Sequence, residues 1–145
     1  MRLVDQQSGL EILDREECLR MLAGHQRSVG RLAFVERSHP MVLPVNYALV
    51  EDRVVFRTAA GLKLDSSIRT GTVAFEIDDV DIEARTGWSV VVRGRCELVQ
   101  ARSQLAALQT TGLSPWAPGD KANWVMIHPE TITGRRVPAA MGFFW

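Results

Sequence analysis

The sequence is poor in cysteine and carries no excess charge of either sign. Its two cysteines, Cys18 and Cys96, lie far apart and form no CxxC. A disulfide framework needs more of them, so a reduced, cytosolic chain is expected. Lys plus Arg and Asp plus Glu are both 17, giving a formal net charge of zero. That argues against nucleic acid as the main partner, because phosphate backbones are held by surplus positive charge. It leaves room for a local basic site for one phosphate, and weak mutual repulsion permits self-association. No apolar run approaches the length of a membrane span. Met1 to Leu10 carries Arg2, Asp5 and two glutamines and lacks the apolar centre of a signal peptide. Internal repeats and low-complexity linkers are absent as well. His25, His39 and His128 show no ligand spacing, so no metal site is expected. Ser66 and Ser67 have no His and Asp arranged to make a nucleophile. The acidic run Glu76 to Glu83 lacks the calcium-loop pattern and reads as a solvated strand end with a turn.

What is present suits one soluble domain: 145 residues, 46% hydrophobic and 23% charged. Asp14 and Glu17 form an acidic capping box at a helix start. Cys18, Leu19 and Leu22 give that helix one apolar face, and Gly24 ends it. Strands are expected over Arg31 to Glu36, Met41 to Val50, Arg53 to Thr58, Thr72 to Val80, Trp88 to Gln100 and Asn123 to His128. Period two is plainest over Met41 to Val50, where Pro44 marks an edge or bulge. Glu51-Asp52 is a hairpin turn. Leu62 to Arg69 and Arg102 to Thr111 read as short helices, and Gly112 to Lys121 as a loop. Cys96 falls on the apolar face of the fifth strand and reads as core. About six strands with three short helices and tight turns give a mainly antiparallel sheet. A closed or nearly closed barrel removes its edges.

The segment Phe56-Arg57-Thr58-Ala59-Ala60-Gly61-Leu62-Lys63-Leu64-Asp65 ends a strand, turns on small residues and starts a helix. Arg57 and Lys63 bracket the turn, and Thr58, Ser66 and Ser67 add hydroxyls. Cations and free N–H groups at a helix start make a phosphate cradle. The GxxxxGK spacing of a Walker loop is absent. On this physics alone, a solvent-facing Arg and Lys at an ordinary turn is the more economical account.

This segment resembles the phosphate-binding strand-turn-helix of the pyridoxamine 5'-phosphate oxidase-like FMN-binding split barrels, and most nearly the nitroimidazole-resistance-type flavoprotein branch. Other stretches match in order. Pro44-Val45-Asn46-Tyr47 resembles the strand beside the flavin ring, and Val73-Ala74-Phe75-Glu76 the strand after the helix. Trp88 to Arg95 is similar to the long strand with its Ser-Val and Arg-Gly pattern. Trp124 to Ile132 with Thr133-Gly134-Arg135 is similar to the closing strand. The likeness runs from about Val29 to Val137.

The resemblance implies a six-stranded antiparallel split β-barrel with a few short helices, one domain over residues 1–145. An N-terminal helical segment would cover 1–28 and a C-terminal tail 138–145. Arg57, Thr58, Lys63 and Ser67 would hold the FMN phosphate. The backbone of Pro44, Val45, Asn46 and Tyr47 would face the isoalloxazine, the Asn46 amide would be offered to its polar edge, and Trp88 and Ser89 would reach it, from a partner subunit in one arrangement. Trp88 and Trp124 suit flavin contact or core packing equally. The family places its cofactor between two chains, so a homodimer is implied. The leading expectation is a cytoplasmic FMN-dependent oxidoreductase acting on a small organic substrate. Deazaflavin, FAD or haem are alternative cofactors, and a non-catalytic flavin carrier or a bare structural barrel are alternative roles. Many close relatives carry His where this chain has Arg57, so chemistry assigned to that His does not carry over. The tail Phe143-Phe144-Trp145 does not resemble the basic tail of true pyridoxamine phosphate oxidases, which argues against vitamin B6 phosphate as substrate. Packing is the simpler role for those aromatics.

Overall fold

A computed structural model describes residues 3–59, 71–119 and 121–139 of the chain. The expected capping box forms: the Asp14 side chain accepts from Glu17 N, and the Glu17 carboxylate accepts from Asp14 N. It starts α1 (Arg15–Gly24), which is preceded by β1 (Leu3–Val4) and β2 (Glu11–Leu13). The helix runs through Gly24 and His25 caps it, its Nδ1 bonding the Met21 carbonyl at 2.8 Å. Then come β3 (Val29–Glu36), β4 (His39–Val50) and β5 (Arg53–Thr58), joined by two-residue turns. Arg37 and Ser38 in one turn, and Glu51 and Asp52 in the other, all have positive φ. That is the mirror-image turn geometry that matches strand twist. The chain continues with β6 (Thr72–Asp81), β7 (Thr86–Val99), α2 (Arg102–Gln109) and β8 (Asn123–Val137).

Six strands, β3 to β8, close into an antiparallel barrel in the order β8-β5-β4-β3-β6-β7, with β7 returning to β8. The first half of β8 pairs with β5 on the edge away from β7, and its last residues pair with β2 on that same edge. Two cores result. Inside the barrel, Leu32, Phe34, Tyr47, Phe56, Phe75 and Ile127 pack against Cys18 and Leu22 of α1, which plugs one end. Outside, Leu108 of α2 and Leu113 of the following loop cover Ala48, Val55, Val99, Trp124 and Met126. Cys96 lies in the inner core, as expected, and burial pushes its thiol up to about 12.

The structure departs from expectation at both ends of the sheet. The N-terminal hairpin of β1 and β2 was not foreseen, because its strands are two and three residues long and too short for a period to register. The closing strand does not stop at His128 but continues to Val137. Its alternation changes phase at Pro129-Glu130. Val125 and Ile127 point inward before the bulge, and Ile132 and Gly134 after it, while the ladder shifts between Arg93 and Gly94 of β7. The helix expected over Leu62 to Arg69 lies outside the described residues.

Candidate functional site

The barrel is split between β4 and β5. Their ladder ends at the pair Tyr47 and Phe56. Beyond it, Arg57 and Thr58 pair with Trp124 and Asn123 of β8, while Pro44 and Val45 pair with Arg31 and Gly30 of β3. Among the described residues, the stretch of β4 before Tyr47 therefore has a ladder partner on one side alone, which is where Pro44 is tolerated. The register assigns the side chains to faces. Pro44, Asn46 and Arg57 look outward, and Val45, Tyr47 and Thr58 look into the barrel.

The loop after α2 lies across this opening, anchored by two of the expected site residues. Arg57 Nε donates to the Lys121 carbonyl at 3.0 Å and Nη1 to the Leu113 carbonyl at 3.3 Å. Its guanidinium sits 5.1 Å from the centre of the Trp124 ring. Asn46, 8% exposed, donates through Nδ2 to the Arg27 and Ser28 carbonyls and accepts from Trp116 N at 2.9 Å. So Arg57 and Asn46 brace the rim of the split. Tyr47 is fully buried: its hydroxyl donates to the Leu22 carbonyl at 2.6 Å and its ring meets Phe75 edge-on. Burial pushes its phenol well above the usual range. Thr58 is buried as well. Lys63 and Ser67 lie outside the described residues.

Three features of this region were not foreseen. Trp116, on the braced loop, is 72% exposed. On the outer sheet face, Arg31 Nη1 bridges Glu76 Oε1 and Asp78 Oδ2, each at 3.2 Å. Burial, helped by the Asp78 carboxylate, pushes Glu76 up to about 7 despite Arg31. Around this triad the same face presents Ala33, Val35, Pro40, Val42 and Ala74, with Val42 62% and Val35 60% exposed. The sequence carries the strands but not the cross-strand register that sets Arg31 against Glu76.

Trp88 and Ser89 lie at the far end of the barrel on opposite faces of β7. Trp88 continues the inner face, packs edge-on against His25 at 4.7 Å, and lines an open cleft of about 750 Å³ with Asp79, Asp81, Thr86 and Arg136. Ser89 faces outward into a hollow of about 320 Å³. Within one chain, the expected site residues that are described form two groups. Pro44, Asn46 and Arg57 meet at the split, and Trp88 and Ser89 stand at the tip of the β6–β7 hairpin.

A family model described as pyridoxamine 5'-phosphate oxidase matches residues 14–136. An uncharacterised protein of Mycobacterium tuberculosis is 38% identical over 145 residues, covering 95% of this chain and 93% of its own. The FAD-binding protein of Mycobacterium smegmatis shares the fold with a TM-score of 0.71 and 35% identity, over 86% of this chain and 96% of its own. A candidate pyridoxamine 5'-phosphate oxidase from Corynebacterium glutamicum superposes with a TM-score of 0.75 and 32% identity, over 90% and 95% of the two chains.

Proposed function

The chain belongs to the pyridoxamine 5'-phosphate oxidase family, and from that premise we propose that it binds a flavin nucleotide at the split between β4 and β5. The observation that carries this reading is the parting of the two strands after Tyr47 and Phe56. It leaves a β4 edge with no ladder partner among the described residues, next to the end of β5 that precedes Lys63 in sequence. The 35%-identical FAD-binding relative supports the same reading.

The residues present fit such a group. Pro44 and Asn46 offer an outward edge of β4 for the ring's polar side, through backbone groups, since the Asn46 amide already bonds the loop. Arg57 fixes the loop that walls the opening and adds positive charge beside it. Lys63 and Ser67 would complete the phosphate contacts. The flavin would supply reversible electron transfer, and the chain's own groups would position it and exclude water. FMN suits the single-phosphate cradle, and FAD is the alternative that the relative supports.

We further propose a homodimer that covers the outer face of Val35, Pro40 and Val42 and completes the site. Oxidation or reduction of a small organic substrate is the activity that follows. A non-catalytic flavin carrier is the second reading, favoured because Asn46, Tyr47 and Arg57 are all bonded into the scaffold.

The test is the visible spectrum of the purified protein, followed by titration with FMN and with FAD. A flavin spectrum or saturable binding of either nucleotide is expected. A colourless protein with affinity for neither overturns the reading. Lys63→Ala should weaken flavin binding about tenfold, as the loss of a charge-assisted contact does. Accelerated oxidation of a reduced nicotinamide separates enzyme from carrier.

A further inference from the structure

The outer face that the proposed homodimer would cover carries a charge imbalance. Arg31 Nη1 serves both Glu76 Oε1 and Asp78 Oδ2, each at 3.2 Å. One guanidinium is thus shared by two carboxylates, and one negative charge is surplus when both are ionised. The register shows what else faces this trio. Arg31 stands opposite Pro44 of β4, and Glu76 opposite Val91 of β7. The next row is Val42, Ala33 and Ala74, ending at Arg93 of β7, which lies diagonal to Glu76. Arg93 makes no ion pair or side-chain hydrogen bond among the described residues. The row on the other side runs from Asp78 through Ser89 to Arg135 of β8, whose Nε already lies 4.0 Å from Asp5 Oδ2. Farther off, His39 bonds the Arg37 carbonyl and His128 the Glu97 carboxylate.

In water the surplus charge is hydrated. Against an apolar surface it is not, and an uncompensated buried charge is costly. A two-fold contact sets the same patch on both sides, so two copies would also bring two surplus charges of one sign together. A proton held by one carboxylate of each trio removes both costs. Glu76 is the carboxylate placed to take it: burial, then the hydrogen bond and charge of Asp78, already push it up to about 7.

We propose that two copies of the chain associate through this face with uptake of one proton at Glu76 in each, so that the dimer tightens as pH falls through neutrality. The inference rests on the homodimer proposed above and not on a bound flavin. A Glu76 that is neutral in the dimer and ionised in the free chain makes the dissociation constant rise with pH. Two protons per dimer give about a hundredfold for each pH unit above about 7.

The experiment is sedimentation velocity with fluorescence detection, in which the dye-labelled protein is diluted from micromolar to picomolar concentration. The parent's dissociation constant should be about a hundredfold larger at about pH 8 than at about pH 6. Glu76→Gln mimics the protonated carboxyl and should keep the tighter value at both. Asp78→Asn leaves one carboxylate to one guanidinium and should lose the dependence as well. No dimer at either pH would overturn the homodimer together with its proton linkage. Equal affinity at both, as would follow if Arg93 of the second copy neutralised the trio, would leave the homodimer standing and overturn the linkage. So would a dimer that never dissociates at about pH 8. A dependence that survives in Glu76→Gln would belong to another group, such as His39 or His128, and one that survives in Asp78→Asn would deny the shared guanidinium; either overturns the proposal.

Discussion

At Tyr47 one hydroxyl ties the barrel wall to its plug. The bond to the Leu22 carbonyl is buried, so removing the donor leaves that acceptor with the weaker contact from His25 N at 3.4 Å. Tyr47→Phe keeps the ring against Phe75 and should cost about 1 kcal/mol, read as a lower urea midpoint with an unchanged slope. Glu76 behaves differently because its carboxyl is pushed up to about 7 from an ordinary 4.5. The folded chain then holds that proton more tightly than the unfolded chain does. Stability from this group is therefore greatest below the ordinary carboxylate range and falls as pH rises toward neutrality. Glu76→Gln should flatten that decline, compared by melting temperature at about pH 5 and about pH 8. An identical slope in the variant would contradict the assignment. Neither effect was legible beforehand, since alternation marks Tyr47 and Glu76 as strand residues without saying which neighbour each meets.

At the scale of elements, legibility followed the regularity of the signal. The capping box of α1 was read correctly because Asp14 and Glu17 are local in sequence and act on each other's backbone. The strands β3 to β7 were found within two residues because each keeps one phase of alternation. β8 was cut short because it does not: the extra residue at Pro129-Glu130 exchanges its faces midway. Within the candidate site, the sheet edge at Pro44 was foreseen, whereas the parting of β4 from β5 and the tasks of Arg57 and Asn46 were not. Those depend on a loop some 70 positions away from Asn46. The bulge also makes a demand of β7. Opposite it, a Cβ at Gly94 would lie 1.9 Å from the His128 carbonyl oxygen, a backbone atom that cannot swing aside. Gly94→Ala should force the β7–β8 ladder apart and cost about 3 kcal/mol, seen as a drop in melting temperature and in soluble yield. A variant as stable as the parent would mean that the two strands are not held this closely.

For the whole molecule, the outer face is where the proposed homodimer is tested. Val35, Pro40 and Val42 leave an apolar surface on a sheet whose other outer region is already covered by α2 and its loop. If two copies bury it, Val42→Glu should shift the species seen by light scattering from dimer to monomer and weaken flavin binding in parallel. A parent protein that runs as a monomer, or a variant that stays dimeric, would count against the proposed interface. No helix among the described residues is long and apolar enough to cross a membrane.

Closure of the barrel rests on β8, which joins β7, β5 and β2 at once. During synthesis, therefore, every earlier strand must wait. Until residues 123–137 leave the ribosome, β5 and β7 each present a bare hydrogen-bonding edge, the kind that recruits other chains. A nascent chain stalled before Asn123 would be the form most in need of a chaperone.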